Sequence, residues 1–175
     1  QDICFVPDGD YGAVVAKLRP GASRPGDIVA VDGSLLGRHD GVIHYTVGQR
    51  KGLGIGGMKG GDGAPFYVVD LDPEVAQVTV GPLEALKRAR LRVREVNWLG
   101  PGARIPLEGM TVSVKLRSAQ PPAAATLYGR KNGAEVVLET PQAGVAPGQA
   151  CVFYDGERML GGGWIARRES AAVAA

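Results

Sequence analysis

Turn-forming residues are spread so densely along this chain that no long helix can be written into it: 27 glycines and 12 prolines occur in 175 residues. Glycine opens backbone conformations closed to other residues, and proline removes a donor and fixes φ, so each tends to punctuate an element. With aromatics at only 6% and no sustained helical period, the pattern predicts short strands joined by many turns. The apolar and charged fractions, 45% and 22%, are those of a globular protein with a real core. No apolar run approaches the ~20 residues of a membrane span. The visible start lacks the charged and apolar regions of a secretory signal. The expected compartment is therefore the cytoplasm, with no membrane partner. The sequence opens on Gln1 without Met, so a preceding segment is expected. A formal charge of +2 is too small to argue for nucleic acid, and local clusters must carry that case.

The spacing predicts one short amphipathic helix near the N-terminus, capped by Asp8, with Tyr11, Val14, Val15 and Leu18 on one face and Pro20-Gly21 at its end. Strands at Asp27–Val31 and Ser34–Gly37 flank Asp32-Gly33, a two-residue hairpin signal. Gly48 to Gly63 contains eight glycines and reads as a long loop rather than a packed element. A second hairpin, Pro65–Asp70 and Ala76–Val80, turns at Asp72-Pro73-Glu74. Pro82–Arg90 reads as a short helix or linker with a basic run, Lys87, Arg88 and Arg90. Beyond it come six candidate strands: Leu91–Trp98, Thr111–Arg117, Ala123–Tyr128, Glu135–Glu139, Gln149–Tyr154 and Arg158–Ala166. Six short antiparallel strands would leave exposed edges if flat, so closure into a barrel is expected. The fold class is thus mainly β: a small central β-rich domain with one short N-terminal helix, followed by a six-stranded antiparallel β-barrel. The domain limits expected are 1–20, 21–88, 89–167 and a frayed tail at 168–175.

Few residues carry recognisable chemistry. Gln49-Arg50-Lys51 stands directly before Gly52-Leu53-Gly54-Ile55-Gly56-Gly57, two cations leading into glycines whose amides can approach an anion. Gly52 to Gly57 fits G-x-G-x-x-G, but a dinucleotide site needs a strand before it and a helix after it. An RNA phosphate suits the segment better, against the plain alternative of an exposed loop with incidental charge. His39 and His44 have the spacing of half a zinc finger without the paired cysteines that would complete one, so no metal is expected. Cys4 and Cys151 are the only cysteines, in no metal or redox motif, and a disulfide between them is disfavoured in a reducing compartment. Cys151, in Ala150-Cys151-Val152-Phe153, is expected in the barrel core. A lone cysteine such as Cys4, between Ile3 and Phe5, is by itself more often a small buried hydrophobe than a nucleophile.

Several segments taken together change that balance. Asp2-Ile3-Cys4-Phe5-Val6, Pro25-Gly26-Asp27-Ile28-Val29, Leu36-Gly37-Arg38-His39-Asp40-Gly41, the long run from His44 to Gly57, Pro65-Phe66-Tyr67-Val68-Val69-Asp70, Val96-Asn97-Trp98-Leu99, Pro147-Gly148-Gln149-Ala150 and Leu160-Gly161-Gly162-Gly163-Trp164-Ile165 resemble, in order, the tRNA-specific 2-thiouridylases of bacteria and mitochondria. The resemblance covers nearly the whole chain and implies the central and C-terminal domains of an enzyme that makes 2-thiouridine at the tRNA wobble position. In that family the uridine C2 oxygen is adenylated and then replaced by sulfur from a cysteine persulfide. The persulfide cysteine maps onto Cys4, a role suited to a thiolate. Contacts to tRNA map onto Arg117 and Ser118, within Lys115-Leu116-Arg117-Ser118-Ala119-Gln120, and onto Gln149; Gln49, Arg50 and Lys51 join them. Ser118 and Ala119 stand where the family usually has Tyr and Arg.

The resemblance further implies partners: tRNA, a sulfur-relay donor protein, and an N-terminal ATP pyrophosphatase domain that would use ATP and Mg2+. That domain's Ser-Gly-Gly-x-Asp-Ser loop and the cysteine that pairs with Cys4 after sulfur release have no counterpart in these 175 residues, so this polypeptide alone is expected to be inactive. The competing reading is a stand-alone RNA-binding β-barrel module in which Cys4 is structural. A methyltransferase reading finds no residues resembling a methyl-donor site.

Overall fold

The computed structural model describes residues 14, 17, 18, 23–55 and 63–167. They fall into two compact units, Gln1–Leu86 and Lys87–Ala175. Val14, Lys17 and Leu18 are helical and exposed, whereas the expected cap at Asp8 and partners Tyr11 and Val15 lie outside the described residues.

The first unit is a four-stranded sheet of order β2-β1-β4-β3, built from β1 (Gly26–Ala30), β2 (Leu35–His39), β3 (Tyr67–Asp72) and β4 (Gln77–Gly81). β1 pairs antiparallel with β2 and parallel with β4, and β4 pairs antiparallel with β3. Ile28 of β1 and Val78 and Val80 of β4 are fully buried, as two-residue alternation on central strands requires. The hairpin loop between β1 and β2 is wider than the two-residue turn predicted. Gly33 N–H donates to Ala30 O at 2.9 Å, Gly33 takes φ +87°, and Asp32 accepts from the Ser34 amide and hydroxyl at 2.9 and 2.6 Å. The side-chain bonds of Asp32 and Ser34 make an extra residue affordable at the bend.

The glycine-rich segment also departs from expectation. Leu53 and Ile55, each 6% exposed, pack into the core with Ile28, Val42, Val68, Val78 and Val80, so the described part of the segment, up to Ile55, is anchored to the sheet. Only two apolar side chains, spaced by one glycine, supply the anchor, too few to make a helical or strand period in the sequence.

The second unit is a closed antiparallel barrel of order β10-β5-β8-β7-β6-β9. Its strands are β5 (Lys87–Trp98), β6 (Met110–Lys115), β7 (Ala123–Arg130), β8 (Gly133–Ala143), β9 (Ala150–Asp155) and β10 (Arg158–Ile165). Phe153, Leu91, Leu127, Leu160, Ile165, Val114 and Val136 fill the interior, each at most 1% exposed, from alternating positions along each strand. Closure pairs every strand on both sides, which removes the edges that six strands would otherwise expose.

Two boundaries move relative to the sequence reading. The segment expected as helix or linker holds only one 3-10 turn, Leu83–Leu86, and the basic residues after it already belong to β5. β8 continues through Pro141, where the β5–β8 register shifts between Arg88 and Arg90. Proline is tolerated in a strand where a ladder bond is already interrupted.

Candidate nucleic-acid interface

Gly48-Gln49 and Gly148-Gln149 lie in separate units yet fold the same way. In each, glycine takes positive φ, +93° at Gly48 and +82° at Gly148, as the third residue of a type II turn demands. Gly48 N–H donates to Val68 O at 2.8 Å and Val68 N–H returns to Gln49 O at 2.9 Å. Gly148 N–H donates to Ile165 O and Ile165 N–H returns to Gln149 O, both at 2.8 Å. Each glutamine then closes its own turn: Gln49 Oε1 accepts from the Thr46 amide at 3.0 Å and Gln149 Oε1 from the Ala146 amide at 3.4 Å. Both side chains therefore position backbone.

In the first unit this turn sets the cations. Gln49 Nε2 donates to Lys51 O at 3.0 Å, winding Thr46 to Lys51 around one side chain, while Leu53 and Ile55 hold the far side. Arg50 and Lys51 are exposed on this fixed bend. Gly56 and Gly57 lie outside the described residues, as does Cys4.

In the barrel, Arg117, Ser118 and Gln149 come to one end. Arg117 lies two residues beyond β6, and its guanidinium donates to Gly144 O across 27 residues. A guanidinium carries five N–H donors, so this bond orients the group without exhausting it. Gly144 sits at φ +67°, and a Cβ there would collide with the same guanidinium. Sequence reasoning missed Gly144, because its constraint comes from a distant arginine. Ser118 is exposed, and beside it the Arg117 carbonyl accepts from the Gln120 amide at 3.3 Å.

His39 and Cys151 are packed into the two cores. His39 is 5% exposed, its Nε2 lies 3.0 Å from Ala76 O, and its ring meets Tyr45 edge-on at 5.5 Å. A carbonyl only accepts, so Nε2 carries the proton, and Nδ1 is left without a partner. His44 is exposed. Among the described residues no cluster of three His, Cys, Asp or Glu side chains gathers around a common point. Cys151 is fully buried in the barrel core, and burial pushes its thiol up to about 12, leaving it neutral and unreactive.

The small net charge conceals a division between the units. Lys87–Ala175 holds 13 basic and 7 acidic residues, net +6, and Gln1–Leu86 holds 7 and 11, net −4. Charge concentrated in one half suits a polyanion partner. Among the described residues no helix is long and apolar enough to cross a membrane.

Comparison with known proteins agrees with the division. Residues 16–82 match the family described as the tRNA methyl transferase PRC-barrel domain, and residues 88–165 the aminomethyltransferase beta-barrel domain. Among curated relatives, tRNA-specific 2-thiouridylase MnmA of Rhodospirillum centenum is 60% identical over 97% of this chain, and that of Parvibaculum lavamentivorans 54% over 97%. The MnmA protein of Paramagnetospirillum magneticum is 57% identical over 94%. The chain spans 44%, 44% and 42% of these three proteins. With two domain families matched in order and identity of this level along nearly its entire length, the chain belongs to the tRNA-specific 2-thiouridylase family.

Proposed function

We propose that this chain is the RNA-holding and sulfur-carrying part of a tRNA uridine 2-sulfurtransferase. The observation that carries the reading is 60% identity to a tRNA-specific 2-thiouridylase over 97% of the chain, and the +6 charge of the barrel unit supports it. Cys4 is the sulfur carrier in this reading. Its thiolate takes sulfane sulfur from a relay protein, and the terminal sulfur of the persulfide attacks C2 of the wobble uridine. The activated oxygen leaves, and a second thiol attacks the Cys4 sulfur, freeing the thiocarbonyl and closing a disulfide on Cys4. ATP with Mg2+ supplies the activation of the C2 oxygen, outside these residues. Arg50, Lys51 and Arg117 meet tRNA phosphates, Ser118 contributes a hydroxyl, and Gln49 and Gln149 hold the turns that aim them.

The test is direct. The 175-residue chain should bind tRNA with an affinity that falls steeply with salt, since each neutralised phosphate releases counterions, and it should form no 2-thiouridine by itself. Incubated with a persulfide donor, it should gain one sulfur at Cys4 and none at Cys151 by mass spectrometry. Salt-independent binding, or sulfur on Cys151 alone, contradicts the reading.

A further inference from the structure

The outer wall of β5 carries more charge than the barrel needs. Leu91 and Val93 point inward at 1% and 2% exposure, so Arg90, Arg92 and Arg94, all exposed, form a row on the opposite face, spaced by about 7 Å. Charged residues on a strand often guard an edge against aggregation, but β5 is paired on both sides, with β8 and β10. Like charges along one strand face repel. Partial relief comes from Glu135, 3.2 Å from Arg90 and shared with Arg130, and from Glu95 beside Arg94. Edge protection therefore does not explain the row.

Next to this row lies an aromatic side chain that the core does not hold. Trp164 pairs across strands with Arg94, which puts the two side chains side by side on one face, and it is 46% exposed. It forms one wall of a cavity of about 310 Å³ with Asn97, Leu99, Met159 and the Gly161–Gly163 floor. That floor stays bare because neighbouring backbone crowds it: a Cβ at Gly162 or Gly163 would come within 2.7 and 2.5 Å of the carbonyls of Cys151 and Arg94. The volume reaches the lower end of ordinary ligand pockets.

We infer that this wall is a second RNA contact, adjoining the end of the barrel where Arg117 and Gln149 lie, since Trp164 pairs with Ala150 directly after Gln149, with sugar-phosphate running along Arg90, Arg92 and Arg94 and one unpaired base stacked on Trp164. A regularly repeated cation row suits a regularly repeated anion, and an exposed indole beside a flat, bare floor suits the face of a base, whatever its identity. The inference rests on the reading of the chain as a tRNA-binding protein.

The test compares binding of an unmodified tRNA transcript to the wild-type chain, to Arg90→Gln/Arg92→Gln/Arg94→Gln and to Trp164→Ala, as a function of salt. Circular dichroism serves as the check on folding, and single Arg→Gln variants replace the triple if it fails that check. The triple variant should flatten the slope of log affinity against log salt by about 2, near 0.7 to 0.9 per lost phosphate contact. Trp164→Ala should weaken binding at least about fivefold while leaving the slope unchanged, and Trp164→Phe should restore most of the loss. Wild-type slope and affinity in these variants, with Arg50→Ala/Lys51→Ala or Arg117→Ala impaired, would overturn the second contact and leave the proposed function standing. A wild-type chain that binds no tRNA overturns both. If the triple variant loses binding to polyglutamate while tRNA affinity is unchanged, the wall serves an acidic protein and the inference is wrong.

Discussion

At the level of single residues, the two cysteines illustrate how environment divides one chemistry. Cys151 is sealed in the barrel, its thiol raised by burial from 9.0 to about 12. In the folded chain it should resist iodoacetamide at pH 8 until denaturant is added, as peptide mapping would show. The linkage has a definite sign: a raised folded pKa gives stability that is complete below 9.0 and is lost as pH climbs from there towards about 12. Equilibrium unfolding should therefore show a decline above pH 9 that Cys151→Ala reduces. Gly144 offers a second prediction. Alanine there must adopt φ near +67° and displace the Arg117 guanidinium, so Gly144→Ala should destabilise the chain by at least ~1 kcal/mol in denaturant titration. In the Arg117→Ala background the cost should shrink, because only the backbone strain remains.

At the level of elements, what could be read from sequence depended on whether a signal was local. All six barrel strands were visible from alternation and from turns at Asn132-Gly133, Pro147-Gly148 and Asp155-Gly156. The start of β5 was not, since Lys87 to Arg90 carries no inward apolar residue of its own and is held by its pairing with β8. The Gly48 segment looked unstructured for a similar reason: its order comes from the partners Val68 and Gln49 and from two buried side chains. The paired Gly-Gln turns predict that Gln49→Ala and Gln149→Ala each cost about 1 kcal/mol. Amide exchange should speed up at Gly48 and Val68 in the first variant, and at Gly148 and Ile165 in the second. Glu135 adds a pH dependence. Hydrogen bonds from Arg130, and then Arg90, hold its carboxyl below 4.5, so this contribution is present above that value and fades as pH falls through the lowered one. Glu135→Gln should remove that part of the acid dependence, modestly, since the group is partly exposed.

At the level of the whole molecule, the family was legible in the His44-to-Gly57 run and its companion segments, and the relatives at 54% to 60% identity bear it out. The candidate site was legible only as residue types. Nothing local announces that Gln49 and Gln149 face their own backbones, that Arg117 leans on Gly144, or that a net charge of +2 is a −4 unit joined to a +6 unit. That division predicts that tRNA binding resides mainly in Lys87–Ala175, so charge reversal at Arg117 together with Lys115 should weaken binding by more than tenfold at low salt, measured by fluorescence anisotropy. The measurement closest to the central claim joins this chain to the remaining portion of the Rhodospirillum centenum 2-thiouridylase and quantifies 2-thiouridine in tRNA by mass spectrometry. The account predicts product with the unaltered chain and with Cys151→Ser, and none with Cys4→Ser. Undiminished 2-thiouridine from the Cys4→Ser chimera would contradict it.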